Sequence, residues 1–63
     1  MTSRELEVLN LLTSGKTNQA IALDLSISEK TVEKYLGSIF SKLNVSSRVE
    51  AAVLAVREGL IKK

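Results

Sequence analysis

Apolar residues recur in this chain at helical spacing, in four short blocks. Each block is bounded by a capping residue or a glycine, which is typical of consecutive short α-helices. No block alternates apolar and polar residues with the period of two that a half-buried strand requires. Because the chain has only 63 residues, these helices must pack on one another to bury a core. The sequence therefore predicts a compact all-α, four-helix domain that occupies residues 1–63.

The composition excludes several classes of protein. The chain contains no Cys and no His, so it lacks disulfides, a thiolate metal site and the commonest general base. We therefore expect no enzyme activity, no catalytic residue, no metal, no cofactor and no small-molecule ligand within this chain. The longest uninterrupted apolar stretch, Ala51 to Val56, is too short to cross a bilayer, and no signal-like segment opens the chain. We expect a cytoplasmic protein that does not bind a membrane.

The first two blocks predict two helices in the amino-terminal half. Thr2 and Glu5 stand at capping-box spacing and open a helix to about Ser14, which Gly15 ends. Thr17 caps a second helix of about eight residues. The expected buried residues are Leu6, Val8, Leu9, Leu11 and Leu12 in the first helix and Ile21, Ala22 and Leu25 in the second.

The third block predicts a long helix directly after a tight turn. The turn is Leu25-Ser26-Ile27, and Ser28 is placed to cap a helix that reaches about Leu43. Its expected buried stripe consists of Val32, Leu36, Ile39 and Leu43. Two helices joined in this way, here about residues 17–43, match the helix-turn-helix, a motif in which the second helix lies in the DNA major groove.

The outer edge of this third helix is polar. At 100° per residue, the residues opposite the buried stripe are Lys30, Lys34, Gly37 and Ser41. Lys30 and Lys34 can reach phosphates or guanine, and Ser38 can contact a base edge or a phosphate. Gly37 costs about 1 kcal/mol relative to Ala within a helix, which a close approach to DNA would offset. The alternative is that these charged residues form an ordinary solvated surface.

Attraction to phosphate must come partly from outside this edge. The net charge is only +2, and Glu29 and Glu33 leave the first turns of the third helix formally neutral. Further candidates for phosphate contact are Lys16, Lys42 and Arg48. Thr17 and Asn18 open the second helix, where free backbone N–H groups and the helix dipole favour an anion. Plain N-capping by Thr17 is an equally good explanation of that position.

The fourth block predicts a helix over about residues 47–58, which Gly59 ends, with Leu60 and Ile61 folding back over its end. Small residues at Ala51, Ala52 and Ala55 suit packing on the first and third helices. A second stripe consists of Val49, Val53 and Val56. An exposed valine stripe indicates a self-association surface, so we expect homodimers through this last helix. The alternative is that Val53 and Val56 complete the core.

Six segments of the chain also form a family pattern. They are residues 2–9 (TSRELEVL), 15–22 (GKTNQAIA), 25–32 (LSISEKTV), 42–45 (KLNV), 47–52 (SRVEAA) and 59–61 (GLI). In this order and spacing they resemble the LuxR-type (GerE, NarL/FixJ) helix-turn-helix DNA-binding domain. The resemblance covers essentially the entire chain.

This resemblance implies a function. Such a domain binds double-stranded DNA sequence-specifically as a dimer on paired half-sites, and is the output domain of a bacterial transcriptional regulator, for example the C-terminal domain of a response regulator. RNA polymerase is a further candidate partner. The resemblance implies a recognition helix at 28–43 and a C-terminal dimerisation helix. It implies base contacts from Glu33, Lys34 and Gly37, and phosphate contacts from Thr17, Asn18, Ser28 and Thr31.

Three positions depart from the family pattern. Glu33 stands where Lys or Arg is common, Tyr35 where His is common, and Ala20 where an acidic capping-box residue is expected. Glu33 matters most, because a carboxylate accepts from cytosine N4 but repels phosphate. We therefore expect a base preference different from that of Lys-bearing relatives.

Two other functions fit parts of the sequence. A promoter-reading domain of an RNA polymerase sigma factor shares the helix-turn-helix, although the block from Arg48 to Ile61 favours the LuxR-type interpretation. A helical protein-interaction module without DNA binding would explain Glu29 and Glu33. The residues do not distinguish an excised C-terminal fragment from a stand-alone regulator.

Overall fold

The computed structural model describes residues 1–59, and within that range it contains four α-helices and no strand. The helices are α1 (Ser3–Thr13), α2 (Asn18–Leu25), α3 (Glu29–Leu43) and α4 (Arg48–Arg57). The predicted all-α fold is confirmed. The expected contact of Leu60 and Ile61 lies outside the described residues. None of the helices in residues 1–59 is long and apolar enough to span a membrane.

Every helix begins at a hydroxyl side chain that caps it. Thr2, Thr17, Ser28 and Ser47 each accept a hydrogen bond from the backbone N–H of the third residue that follows. These caps satisfy amide groups that have no acceptor within the helix. Ser26 and Asn44 end α2 and α3 in the left-handed conformation, each with φ of 57°. Hydroxyl caps at the starts and sharp turns at the ends thus set the helix boundaries.

The core is aliphatic and draws on all four helices. Its buried residues are Val8, Leu9, Leu12, Ile21, Ala22, Val32, Leu36, Ile39, Ala51 and Ala55. Among the other residues expected in the core, Leu11, Leu25 and Leu43 are half-buried against it. The prediction that Leu6 is buried was wrong, because the residue is 37% exposed. Glu5 occupies the inward position instead, and Leu6 lies roughly 100° further round the helix.

Helix α3 packs against each of the other three helices. Val32 and Ile39 are completely buried along its inner edge, and Leu36 nearly so. Helix α4 reaches α1 and α3 through Ala51 and Ala55, which are fully buried. The small alanine side chains let α4 approach closely, so α3 is fixed from three sides by apolar contacts.

Glu5 connects the start of α1 to the second half of α3. The residue is only 4% exposed. One carboxylate oxygen, Oε1, accepts from the Thr2 backbone N–H at 2.8 Å and from Lys42 Nζ at 2.7 Å. The other, Oε2, accepts from Ser38 Oγ at 2.6 Å. The capping box with Thr2 was predicted and is confirmed, whereas the contacts with α3 were not predicted.

These partners favour the ionised form of Glu5. Hydrogen bonds from Lys42, from Ser38 and from the Thr2 backbone, in decreasing order, lower its pKa from 4.5 to about 2. Hydrogen bonds and an opposite charge stabilise a carboxylate relative to the neutral acid. Because the folded pKa is below the unfolded one, this stabilisation is present above about pH 4.5 and is lost as the pH falls through about 2.

We predict that Glu5→Gln unfolds at a lower temperature than the wild type at neutral pH. The difference should shrink as the pH falls from about 4.5 to about 2, where the wild-type carboxylate becomes protonated. Thermal unfolding followed by circular dichroism at a series of pH values measures it. Glu33→Gln, which removes an exposed carboxylate of α3, is the matched control. A stability difference that is the same at every pH would contradict this interpretation.

Candidate nucleic-acid interface

A tight turn joins α2 to α3. Ser26 takes the left-handed conformation that ends α2, and the Ile27 N–H donates to the Ala22 carbonyl at 3.0 Å. Ile27 is half-buried and packs against the core, while Ser28 starts the next helix immediately. The turn is therefore short and held by its own hydrogen bond. The two helices form the expected helix-turn-helix.

The outer edge of α3 is open to solvent. Lys30, Lys34, Gly37 and Ser41 are all exposed, opposite the buried edge of the same helix. Glu29 and Glu33 are exposed as well. The predicted separation of an aliphatic edge from a polar edge is confirmed. The exposed first turns of α3 carry two acidic and two basic side chains, so this surface is formally neutral there.

Gly37 lies in the middle of the exposed edge. A Cβ atom added there would meet nothing within 4 Å, and its backbone is part of the regular helix α3. Neither packing nor backbone conformation within the domain therefore requires a glycine. Because Gly37 has no side chain, a neighbouring molecule can approach the backbone of α3 at the centre of the exposed edge.

Ser38 and Lys42 lie at the side of α3 that faces α1, and both bind Glu5. Ser38 is half-buried, and the Lys42 side chain is 46% exposed. They border an open depression of about 400 Å³, whose lining also includes Thr2, Glu5, Thr31, Lys34 and Tyr35. Two of the predicted contact residues thus already have a partner within the domain. Sequence reasoning missed Glu5 as that partner, because the capping box explained this residue completely.

Ser28 and Thr31 form the start of α3. Ser28 Oγ accepts from the Thr31 backbone N–H at 3.1 Å, and the two hydroxyl groups lie 2.9 Å apart. Ser28 is exposed and Thr31 is half-buried. Both hydroxyls therefore serve the helix cap while remaining at the surface.

The start of α2 is braced by α4. Thr17 Oγ1 accepts from the Ala20 backbone N–H at 3.2 Å, which is the predicted cap. Asn18 Oδ1 accepts from Arg48 Nη1 at 3.3 Å, and Arg48 Nη2 donates to the Lys16 carbonyl at 3.1 Å. Lys16 Nζ lies 3.1 Å from Asp24 Oδ2. Arg48 thus holds the α2 start in place, a role that no local pattern in the sequence indicates.

Valine side chains form an apolar strip on α4. Val49, Val53 and Val56 are 69%, 51% and 48% exposed. The alternative that Val53 and Val56 complete the core was wrong. The residues that α4 contributes to the core are Ala51 and Ala55. Two shallow depressions of about 300 and 330 Å³ run along the strip and share Val53 and Arg57. This strip is a candidate interaction surface on α4, the last helix of the described residues.

Known proteins resemble this chain in both sequence and structure. Residues 1–55 match the family described as bacterial regulatory proteins, luxR family (GerE). The transcriptional regulatory protein LiaR of Bacillus subtilis (strain 168) is 49% identical over 61 residues, which are 97% of this chain and 29% of LiaR.

Two solved structures extend the similarity. The response regulator ChrA of a heme-sensing two-component system has a TM-score of 0.91 and 42% identity over 95% of this chain and 30% of its own. The Vibrio cholerae dimer VqmA, a LuxR-type receptor, has a TM-score of 0.92 and 43% identity over 95% and 27%. This chain spans less than a third of LiaR, ChrA and VqmA.

The family match covers the helix-turn-helix and most of α4, and sequence and structure agree on it. It favours the LuxR-type interpretation over the sigma-factor alternative. The chain therefore belongs to the GerE/LuxR family of bacterial regulatory proteins, which are DNA-binding transcription regulators and not enzymes.

Proposed function

We propose that this domain binds double-stranded DNA sequence-specifically as the output domain of a bacterial transcriptional regulator. The observation that carries the proposal is the division of α3 into a buried aliphatic edge and an exposed edge with Lys30, Lys34 and Gly37. A helix inserted into the major groove needs a narrow polar edge of this kind. The similarity to the response regulator ChrA supports the proposal that this domain is the C-terminal domain of a response regulator. In this role the domain acts in the cytoplasm, and RNA polymerase is a further candidate partner.

The proposed base contacts come from Lys30, Glu33, Lys34, Gly37 and Ser38. Lys30 and Lys34 are long enough to donate to guanine O6 and N7. The exposed carboxylate of Glu33 accepts from the amino group of cytosine. Gly37 permits the helix backbone to approach the bases, because no side chain stands in the way.

The proposed phosphate contacts come from Thr17, Asn18, Ser28, Thr31 and Lys42. The first backbone N–H groups of α2 have no acceptor within the helix, and the helix dipole adds to their attraction for an anion. Lys42 Nζ carries three donors, and Glu5 accepts from it. Because this ion pair offsets part of the Lys42 charge, we expect moderate affinity from a single domain.

We predict that the affinity of the domain for a duplex falls linearly with salt on a log–log plot, because binding releases counterions from the DNA. Lys34→Gln should weaken binding by about 1–3 kcal/mol and relax specificity at one base pair. Fluorescence anisotropy with a labelled duplex, at several salt concentrations, measures both effects. Arg4→Gln removes the same charge from an α1 side chain that pairs with Glu7 and is the matched control.

The same titration separates the proposal from the protein-interaction alternative that Glu29 and Glu33 suggested. A module that has lost DNA binding would show neither measurable affinity nor a salt slope. An equal loss of affinity in Lys34→Gln and Arg4→Gln would show that only net charge matters, and would contradict base reading by α3.

We predict that Gly37→Ala stabilises the free domain and weakens its binding to DNA. Alanine is favoured over glycine by about 1 kcal/mol within a helix, and the added Cβ has open space around it. A methyl group at the centre of the exposed edge would hold α3 away from the bases. Chemical denaturation and anisotropy measure the two effects. A variant that is more stable and binds DNA as well as the wild type would contradict a close approach at Gly37.

We further propose that two copies of the domain pair through α4, with Val49, Val53 and Val56 in the interface, and bind paired half-sites. Exposed apolar strips of this kind commonly mark interaction surfaces. The dimeric state of VqmA supports the assignment. A two-fold pair would place its recognition helices about one DNA turn apart.

We predict that Val53→Asp weakens DNA binding while leaving the fold intact, because the charge lies in the proposed interface and not in the core. Analytical ultracentrifugation over a range of concentrations, together with anisotropy, measures the association and its effect on binding. Leu23→Asp is the matched control, because Leu23 is an exposed apolar residue on α2, outside the proposed interface. Its molecular mass in the ultracentrifuge should equal that of the wild type. Unchanged mass and unchanged DNA affinity in Val53→Asp would refute the α4 interface.

A further inference from the structure

We propose that Glu5 fixes the hydrogen-bonding direction of Ser38, so that Ser38 only accepts from DNA and reads the amino group of adenine or cytosine. The inference rests on the proposed DNA binding and adds a residue outside the helix-turn-helix to the determinants of specificity. It concerns the depression beside α3, where Glu5 lies against Ser38 and Lys42.

The hydroxyl hydrogen of Ser38 is already committed within the domain. A serine hydroxyl has one hydrogen to donate and two lone pairs that accept. Ser38 Oγ donates that hydrogen to Glu5 Oε2 at 2.6 Å. A carboxylate has no hydrogen to return, so the direction of this bond cannot reverse while Glu5 is ionised. The lowered pKa of Glu5, about 2, keeps it ionised at neutral pH.

The other Glu5 oxygen is held just as firmly. Oε1 accepts from the Thr2 backbone N–H and from Lys42 Nζ. These two donors fix which oxygen faces Ser38, and only 4% of Glu5 is exposed to solvent. The lone pairs of Ser38 are therefore the part of its hydroxyl that remains for a ligand.

Base edges differ in what they offer to such an acceptor. In the major groove, adenine N6 and cytosine N4 carry amino groups that donate, whereas guanine O6 and N7 and thymine O4 only accept. An unrestrained serine can rotate its hydroxyl to suit either kind. Ser38 lies one helical turn beyond Lys34, at the side of α3 that faces α1, and both residues line the same depression. Held by Glu5, it can pair only with the adenine or the cytosine of a base pair, so it distinguishes the two orientations of that pair.

Selection from random duplexes, followed by competition binding, tests this inference. The wild-type 63-residue chain should prefer one orientation of a base pair at one position of each half-site, with adenine or cytosine in the strand that Ser38 contacts. Ser38→Ala should lose that preference, by about fivefold, the value of one neutral hydrogen bond, and keep the preferences at other positions. Ser41→Ala removes an exposed hydroxyl of the same helix and should change nothing at that position.

Glu5→Gln tests the direction of the bond. The amide oxygen should keep the Thr2 and Lys42 donors, which places the amide NH₂ against Ser38 Oγ. The Ser38 hydrogen is then free to point outward, and the preferred orientation of that base pair should reverse, which brings guanine or thymine to Ser38. Circular dichroism establishes that the variant is folded before selection, and the Ser38→Ala result decides the inference if it is not.

The outcomes are distinct. Enrichment of specific duplexes that Ser38→Ala leaves unchanged at every position would overturn the inference and leave the proposed function standing. An unaltered preference in folded Glu5→Gln would also overturn it. The absence of any enriched sequence would contradict both the proposed function and the inference.

Discussion

The burial of one aliphatic edge of α3 is the interaction on which the rest of the molecule depends. Val32, Leu36 and Ile39 contribute this edge to a core shared by all four helices. Such burial is the main favourable term in the stability of a small domain. It also fixes the rotation of α3 about its own axis, and thereby the side chains that face outward. The packing of α3 and its proposed contacts with DNA thus both follow from the same helical periodicity.

Polar contacts join the helices at the edges of the apolar core. Glu5 ties the start of α1 to Ser38 and Lys42, and Arg48 ties the start of α4 to the beginning of α2. A buried carboxylate is tolerated only when charge and hydrogen bonds compensate its desolvation, and Glu5 has both. Because its partners lie beside the exposed edge of α3, a stabilising contact also decides which donors and acceptors that edge presents.

Much of this fold could be predicted because its signals are local. A hydroxyl cap followed by helical periodicity marks the starts of the helices within a residue or two, and the inner edge of α3 follows from the same spacing. Leu6 was misassigned because leucines surround most of α1, so hydrophobicity alone did not define its buried face. The contact of Glu5 with Lys42 spans 37 positions and depends on how two helices are placed. No short pattern encodes that placement.

The central claim is that the exposed edge of α3 enters the duplex. Amide chemical-shift mapping by NMR, with a selected duplex added to the isotope-labelled chain, tests it most directly. We expect the largest changes at Lys30, Lys34 and Gly37 on α3 and at Thr17 and Asn18 at the start of α2, and a smaller response from α1. Changes concentrated elsewhere, with the exposed edge of α3 unaffected, would contradict the account.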